Sequence, residues 1–99
     1  MTTTTKFTKL SLAFGVALGL SLPAAAQTEI QWWHAMTGAL GDRVNDFAKD
    51  FNASQTQYKV VPVFKGSYAE TMTAAFAATR AGNPPHIVQV FEVGTATMM

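Results

Sequence analysis

Between Thr28 and Phe91 the period of the apolar positions changes four times, and each change marks the boundary of an element. TEIQWW alternates and is rich in β-formers, which predicts a first strand over residues 28–33, and HAMTG then reads as a loop with Thr37 as a helix cap. From Gly38 the step lengthens. Leu40, Val44, Phe47, Ala48 and Phe51 recur at helical spacing and draw one apolar stripe along a helix ending near Asn52. Asp42, Arg43, Asp46, Lys49 and Asp50 take the opposite face, where ion pairs three and four residues apart are weak, and they read as solvated surface.

YKVVPVF returns to β-formers and predicts a second strand over residues 58–64; Pro62 has no N–H for a ladder, so it belongs at a sheet edge. SYAE, Ser67 to Glu70, has the spacing of a capping box and opens a second helix with Met72, Ala75, Phe76 and Thr79 on its buried stripe. Gly82-Asn83-Pro84-Pro85 stops that helix through a left-handed cap and a proline pair. HIVQVF is nearly continuous in apolar character, which predicts a third strand buried on both faces. The order β-α-β-α-β, with helices long enough to be crossovers, implies an α/β fold with right-handed connections and a parallel sheet.

Ligands of such open sheets collect at the carboxyl ends of the strands. Three segments meet there: Trp33-His34-Ala35-Met36 after the first strand, Lys65-Gly66-Ser67-Tyr68 after the second, and Glu92-Val93-Gly94-Thr95 after the third. Position alone leaves Glu92 two roles, complementing the positive end of a following helix or binding a ligand. Trp32 and Trp33 point to opposite faces of their strand, one toward the core, while Trp33 is a candidate to stack on ligand at the rim. His34 either contacts ligand or orders its loop, the ordering role being the stronger. His86 begins a strand, and Lys65 reads as a solvated loop lysine unless a phosphate lies beside it.

The N-terminal residues follow a different pattern. Lys6 and Lys9 precede an uncharged apolar run, Leu10 to Leu22, and Ala24-Ala25-Ala26 then supplies small residues where a signal peptidase cuts. Residues 1–26 are therefore expected to be a secretory signal. The run falls short of the roughly 20 residues of a spanning helix, and without an Arg pair the general export route is expected rather than the twin-arginine one. Residues 27–99 then carry five basic and six acidic side chains, scattered singly, with no patch to track a phosphate backbone, so no nucleic-acid partner is expected. The chain has no cysteine, which leaves neither disulfides nor thiol chemistry, and its two histidines are far apart, so no metal site is expected. A unit of this size buries only about 60% of its unfolded surface, marginal without staples, and is expected to be a piece of something larger.

QWWHAMTGALGDRVNDFAKDFNASQTQYKVVP and FKGSYAETMTAAFAATRAGNPPHIVQVFEVGTATMM together resemble the periplasmic solute-binding proteins of ABC importers, and within them the branch that binds sn-glycerol 3-phosphate. The likeness runs through nearly all of residues 27–99 and includes VGTATMM; WWH alone would be a weak signal, because related sugar binders carry similar loops. Such proteins have two α/β lobes that close on ligand. The resemblance therefore implies that this chain is the β-α-β-α-β start of the first lobe, a truncated N-terminal fragment.

By that resemblance, the family's ligand-contacting tyrosine after its second strand matches Tyr68 in GSY, and its glutamate after the third strand matches Glu92 in FEVGT. The family's other ligand positions fall beyond Met99. It implies a small-molecule ligand, glycerol 3-phosphate and possibly its diesters, an inner-membrane permease as partner, a monomer, a periplasmic location, and neither cofactor nor enzymatic activity. Two rivals are a sugar-binding relative and an exported hydrolase. The second lacks support in these residues, which contain no G-x-S-x-G, no G-x-G-x-x-G at a strand–helix junction, and no carboxylate pair at one rim.

Overall fold

The computed structural model describes Gly19 and residues 26–99. The expected secretory signal over residues 1–26 lies, save for Gly19 and Ala26, outside the described residues. The elements run β1 (Thr28–His34), α1 (Gly38–Ser54), β2 (Tyr58–Phe64), α2 (Tyr68–Arg80), β3 (Ile87–Val88), a 3₁₀ turn (Glu92–Gly94) and α3 (Thr95–Met98). The β-α-β-α-β order read from the hydrophobic periods is present, and all three strands run parallel in the order β2-β1-β3.

Local chemistry accounts for the helix ends. At the start of α2 the Ser67 hydroxyl accepts the Glu70 amide at 3.2 Å while the Glu70 carboxylate receives the Ser67 amide at 3.5 Å, closing the expected capping box. At its end Gly82 adopts φ +77°, and the Gly82 and Asn83 amides donate back to the Thr79 and Ala78 carbonyls at 3.1 and 2.9 Å. That pair of bonds is a Schellman stop, which the left-handed glycine makes possible. Thr37 does occupy the cap of α1, but its side chain makes no capping bond; its carbonyl accepts the Gly41 amide at 3.2 Å instead.

The β1–β2 ladder runs in full register from Thr28 opposite Tyr58 to His34 opposite Phe64. β2 lies at an edge, as Pro62 requires, and its outer side is closed by amide side chains. Asn52 donates to the Val60 carbonyl at 2.8 Å and accepts the Val60 amide at 2.7 Å. Gln55 does the same for Tyr58, at 2.6 and 2.7 Å. Two side chains from the end of α1 thus imitate a neighbouring strand, and at Pro62 there is no donor left to pair.

β3 departs from expectation. Only Ile87 and Val88 form a strand, opposite Trp32 and Trp33, and Ile87 is exposed rather than buried on both faces. The cause is local. Pro84-Pro85 cannot enter a ladder, so the His86 ring takes over and its Nδ1 accepts the Gln31 amide at 3.0 Å. Beyond Val88 a single further bond, from the Gln89 amide to the Trp33 carbonyl at 2.9 Å, ends the pairing.

The predicted stripes are half right. On α1, Val44 and Ala48 are buried, whereas Leu40, Phe47 and Phe51 are 62, 63 and 44% exposed. The small residues make the contact with the sheet. Phe47 and Phe51 overhang an open apolar cleft of about 520 Å³, shared with Ile30, Trp32, Tyr58 and Ile87. On α2, Ala75 is buried as expected, Met72 and Phe76 are half-buried, and Thr79 is exposed; Thr71 is the fully buried member.

Candidate functional site at the strand C-termini

The chain leaves β1 in one direction to form β2 and returns past β1 to form β3, so the strand order reverses at β1. With right-handed crossovers, α1 and α2 cover opposite faces. A crevice for ligand forms where the connections diverge at such a reversal, outside the carboxyl ends of the strands. Here that point lies between β1 and β3. Gln89 spans it: its side-chain oxygen accepts the Ala35 amide at 3.0 Å, tying the segment after β3 to the loop after β1. Sequence reasoning passed over Gln89, although a lone amide inside an otherwise apolar run was the available signal.

Tyr68, the first residue of α2, is 37% exposed, and its ring stacks against Phe91 with centroids 5.3 Å apart. Glu92 follows Phe91 directly, is exposed, and opens the 3₁₀ turn. Gly94 holds that turn close to α2: it is buried, and a Cβ there would stand 3.3 Å from Met72 Sδ and 3.4 Å from a Phe91 ring carbon. The structure therefore brings the two sequence-predicted residues Tyr68 and Glu92 to the same lip of the sheet, with Phe91 between them. From the sequence Phe91 reads only as strand.

Trp33 and His34 fall on opposite faces of β1 and do different things. Trp33 is half-buried, with Nε1 donating to the Gln31 side chain at 3.1 Å and the Lys65 ammonium 3.9 Å above its ring centroid. The Lys65 amide in turn donates to the His34 carbonyl at 2.9 Å, so the segment leaving β2 is pinned to the central strand. His34 is 4% exposed, its ring centroid 6.3 and 6.1 Å from those of Trp32 and Phe64. Its Nδ1 accepts the Met36 amide at 3.2 Å, which orders the loop into α1. Burial lowers its pKa from the ordinary value of 6.5, because the surroundings disfavour the charged ring. Of its two expected roles, the geometry gives His34 the loop-ordering one.

Among the described residues there is no group of three or more His, Asp or Glu side chains able to hold a metal ion. The lip offers an aromatic hydroxyl, a solvated carboxylate, an ammonium lying on an indole, and backbone amides. That inventory suits binding a small polar molecule through hydrogen bonds and charge.

Fold and lip together define an open, parallel α/β unit with polar groups at the carboxyl ends of its strands. The chain is 52% identical over 90 residues to the sn-glycerol-3-phosphate-binding periplasmic protein UgpB of Rhizobium meliloti, covering 91% of this chain and 21% of that protein. Proteins of the same name from Brucella suis biovar 1 and Yersinia pestis bv. Antiqua are each 50% identical, over 97 and 91 residues, which is 94 and 92% of this chain. The chain spans about a fifth of the length of the relatives it matches. No protein-family model matches it.

Proposed function

We propose that residues 27–99 form the first part of a lobe of a periplasmic solute-binding component of an ABC importer, that residues 1–26 are its cleaved export signal, and that the ligand is sn-glycerol 3-phosphate. The observation that carries the reading is the shared lip. Tyr68 and Glu92 come from different connections, the Tyr68 ring lies against Phe91, and Glu92 follows Phe91 directly, which supports a shared role in binding.

Chemistry divides the work between them. A carboxylate repels a phosphate dianion, so Glu92 accepts hydrogen bonds from the glycerol hydroxyls, while Tyr68 donates its phenolic proton and lays its ring along the carbon chain. A second lobe supplies the remaining contacts. Ligand contacts shared between two lobes favour the closed form, and the closed form is what a membrane permease recognises, so that binding becomes a docking signal. The ligand leaves unchanged.

The test is a chimera in which residues 27–99 replace the matching fifth of the Rhizobium meliloti relative. Calorimetry should show binding of glycerol 3-phosphate, maltose-like sugars should not compete, and phosphorus NMR should show no turnover. Failure of the chimera to fold or to bind would overturn the assignment, and turnover would replace it with an enzyme.

A further inference from the structure

We propose that Lys65 reads the phosphate end of the ligand and that Trp33 holds it in position to do so; this specificity role rests on the glycerol phosphate reading above. Five basic residues lie within 27–99: Arg43, Lys49, Lys59, Lys65 and Arg80. Arg43 and Lys49 are on α1, Lys59 is near the start of β2, and Arg80 ends α2. Lys65 alone lies in a segment that leaves a strand at the lip.

Its placement is fixed at both ends. The backbone is tied to His34 by the 2.9 Å bond, and the ammonium rests 3.9 Å from the centroid of an indole that is itself anchored to Gln31 at 3.1 Å. A cation over an indole is attracted by the ring, yet a ring face is a poor partner for N–H donors, so the ammonium stays ready to donate to an anion. The side chain is thus ordered before ligand arrives, which removes part of the entropy that a free loop lysine would lose on binding.

Strand order then sets direction. Lys65 follows the end of β2 directly and Glu92 opens the turn that comes after β3, on opposite sides of β1, and strands on either side of a shared neighbour lie about 10 Å apart. A three-carbon polyol phosphate laid across β1 meets a cation at one end and a carboxylate at the other. The reverse orientation sets phosphate against Glu92. Lys65 therefore fixes ligand orientation and favours the phosphate ester over neutral polyols and sugars.

The experiment compares the wild-type chimera with Lys65→Met and Lys65→Arg by calorimetry with glycerol 3-phosphate over a salt series. The expected result is a loss of about tenfold or more in affinity for Lys65→Met, a flatter salt dependence, and recovery of most of both in Lys65→Arg. A Lys65→Met protein with wild-type affinity and wild-type salt slope would overturn the role of Lys65 while leaving the function standing. A wild-type chimera that does not bind would overturn both. If Lys65→Met does not fold, the wild-type salt slope decides: affinity insensitive to salt overturns the proposal.

Discussion

His34 illustrates how one buried side chain can tie a loop to solution conditions. Its ring is neutral in the fold because burial lowers its pKa below 6.5, and the neutral Nδ1 accepts the Met36 amide. As pH falls through 6.5 the unfolded chain takes up a proton that the folded chain refuses, so this contribution to stability is full above about 6.5 and is lost progressively below it. Urea melts between pH 5 and 8 should show stability falling on the acid side, and His34→Asn, which keeps an acceptor for Met36 but does not titrate, should flatten that slope. An unchanged slope would remove His34 from the account. Gly66 is a second single-residue constraint. Its φ is +100°, and an added Cβ would lie 2.6 Å from Glu70 Oε2, inside the capping box. Gly66→Ala should cost about 1–3 kcal/mol in a urea melt, from strain and from a displaced cap.

Elements were legible wherever their determinants are close in sequence. The capping box at Ser67 and Glu70 and the glycine stop at Gly82 depend on residues within one turn, and both are present as read. Pro62 announced an edge strand because a missing donor means the same thing in any context. The length of β3 was not legible, since apolar residues such as Val90 and Phe91 carry no record of what lies beside them, and the ladder ends where β1 stops offering partners. Nor was the second use of Asn52 and Gln55. At the end of a helix they read as ordinary polar residues, and only the folded chain places them along β2. Asn52→Ala removes two bonds to Val60 and reopens the edge; it should cost about 1–3 kcal/mol and raise aggregation measured by light scattering. At the site, the positions of Tyr68 and Glu92 after the second and third strands were legible from the strand ends, whereas the Lys65–Trp33 and Tyr68–Phe91 pairs, which depend on strand order and side-chain direction, were not.

For the molecule as a whole, the balance of burial is the decisive feature. The buried apolar residues among those described are Val44, Ala48 and Ala75, while Phe47, Phe51 and Ile87 border an open cleft. A three-stranded sheet with so little covered apolar surface is marginal by itself. Residues 27–99 expressed alone should therefore melt over a broad range and bind hydrophobic dye; a sharp cooperative melt without dye binding would show that the unit is self-sufficient. In the chimera the same residues should melt within a single cooperative transition.

One lip of this sheet is proposed to present Glu92 to the hydroxyls of glycerol 3-phosphate beside Tyr68. Calorimetric titration of the chimera carrying Glu92→Gln tests it most directly. A hydrogen bond to a charged acceptor is worth about 1.5–3 kcal/mol, so affinity should fall roughly tenfold or more with the fold intact. An affinity equal to that of the unsubstituted chimera would contradict it.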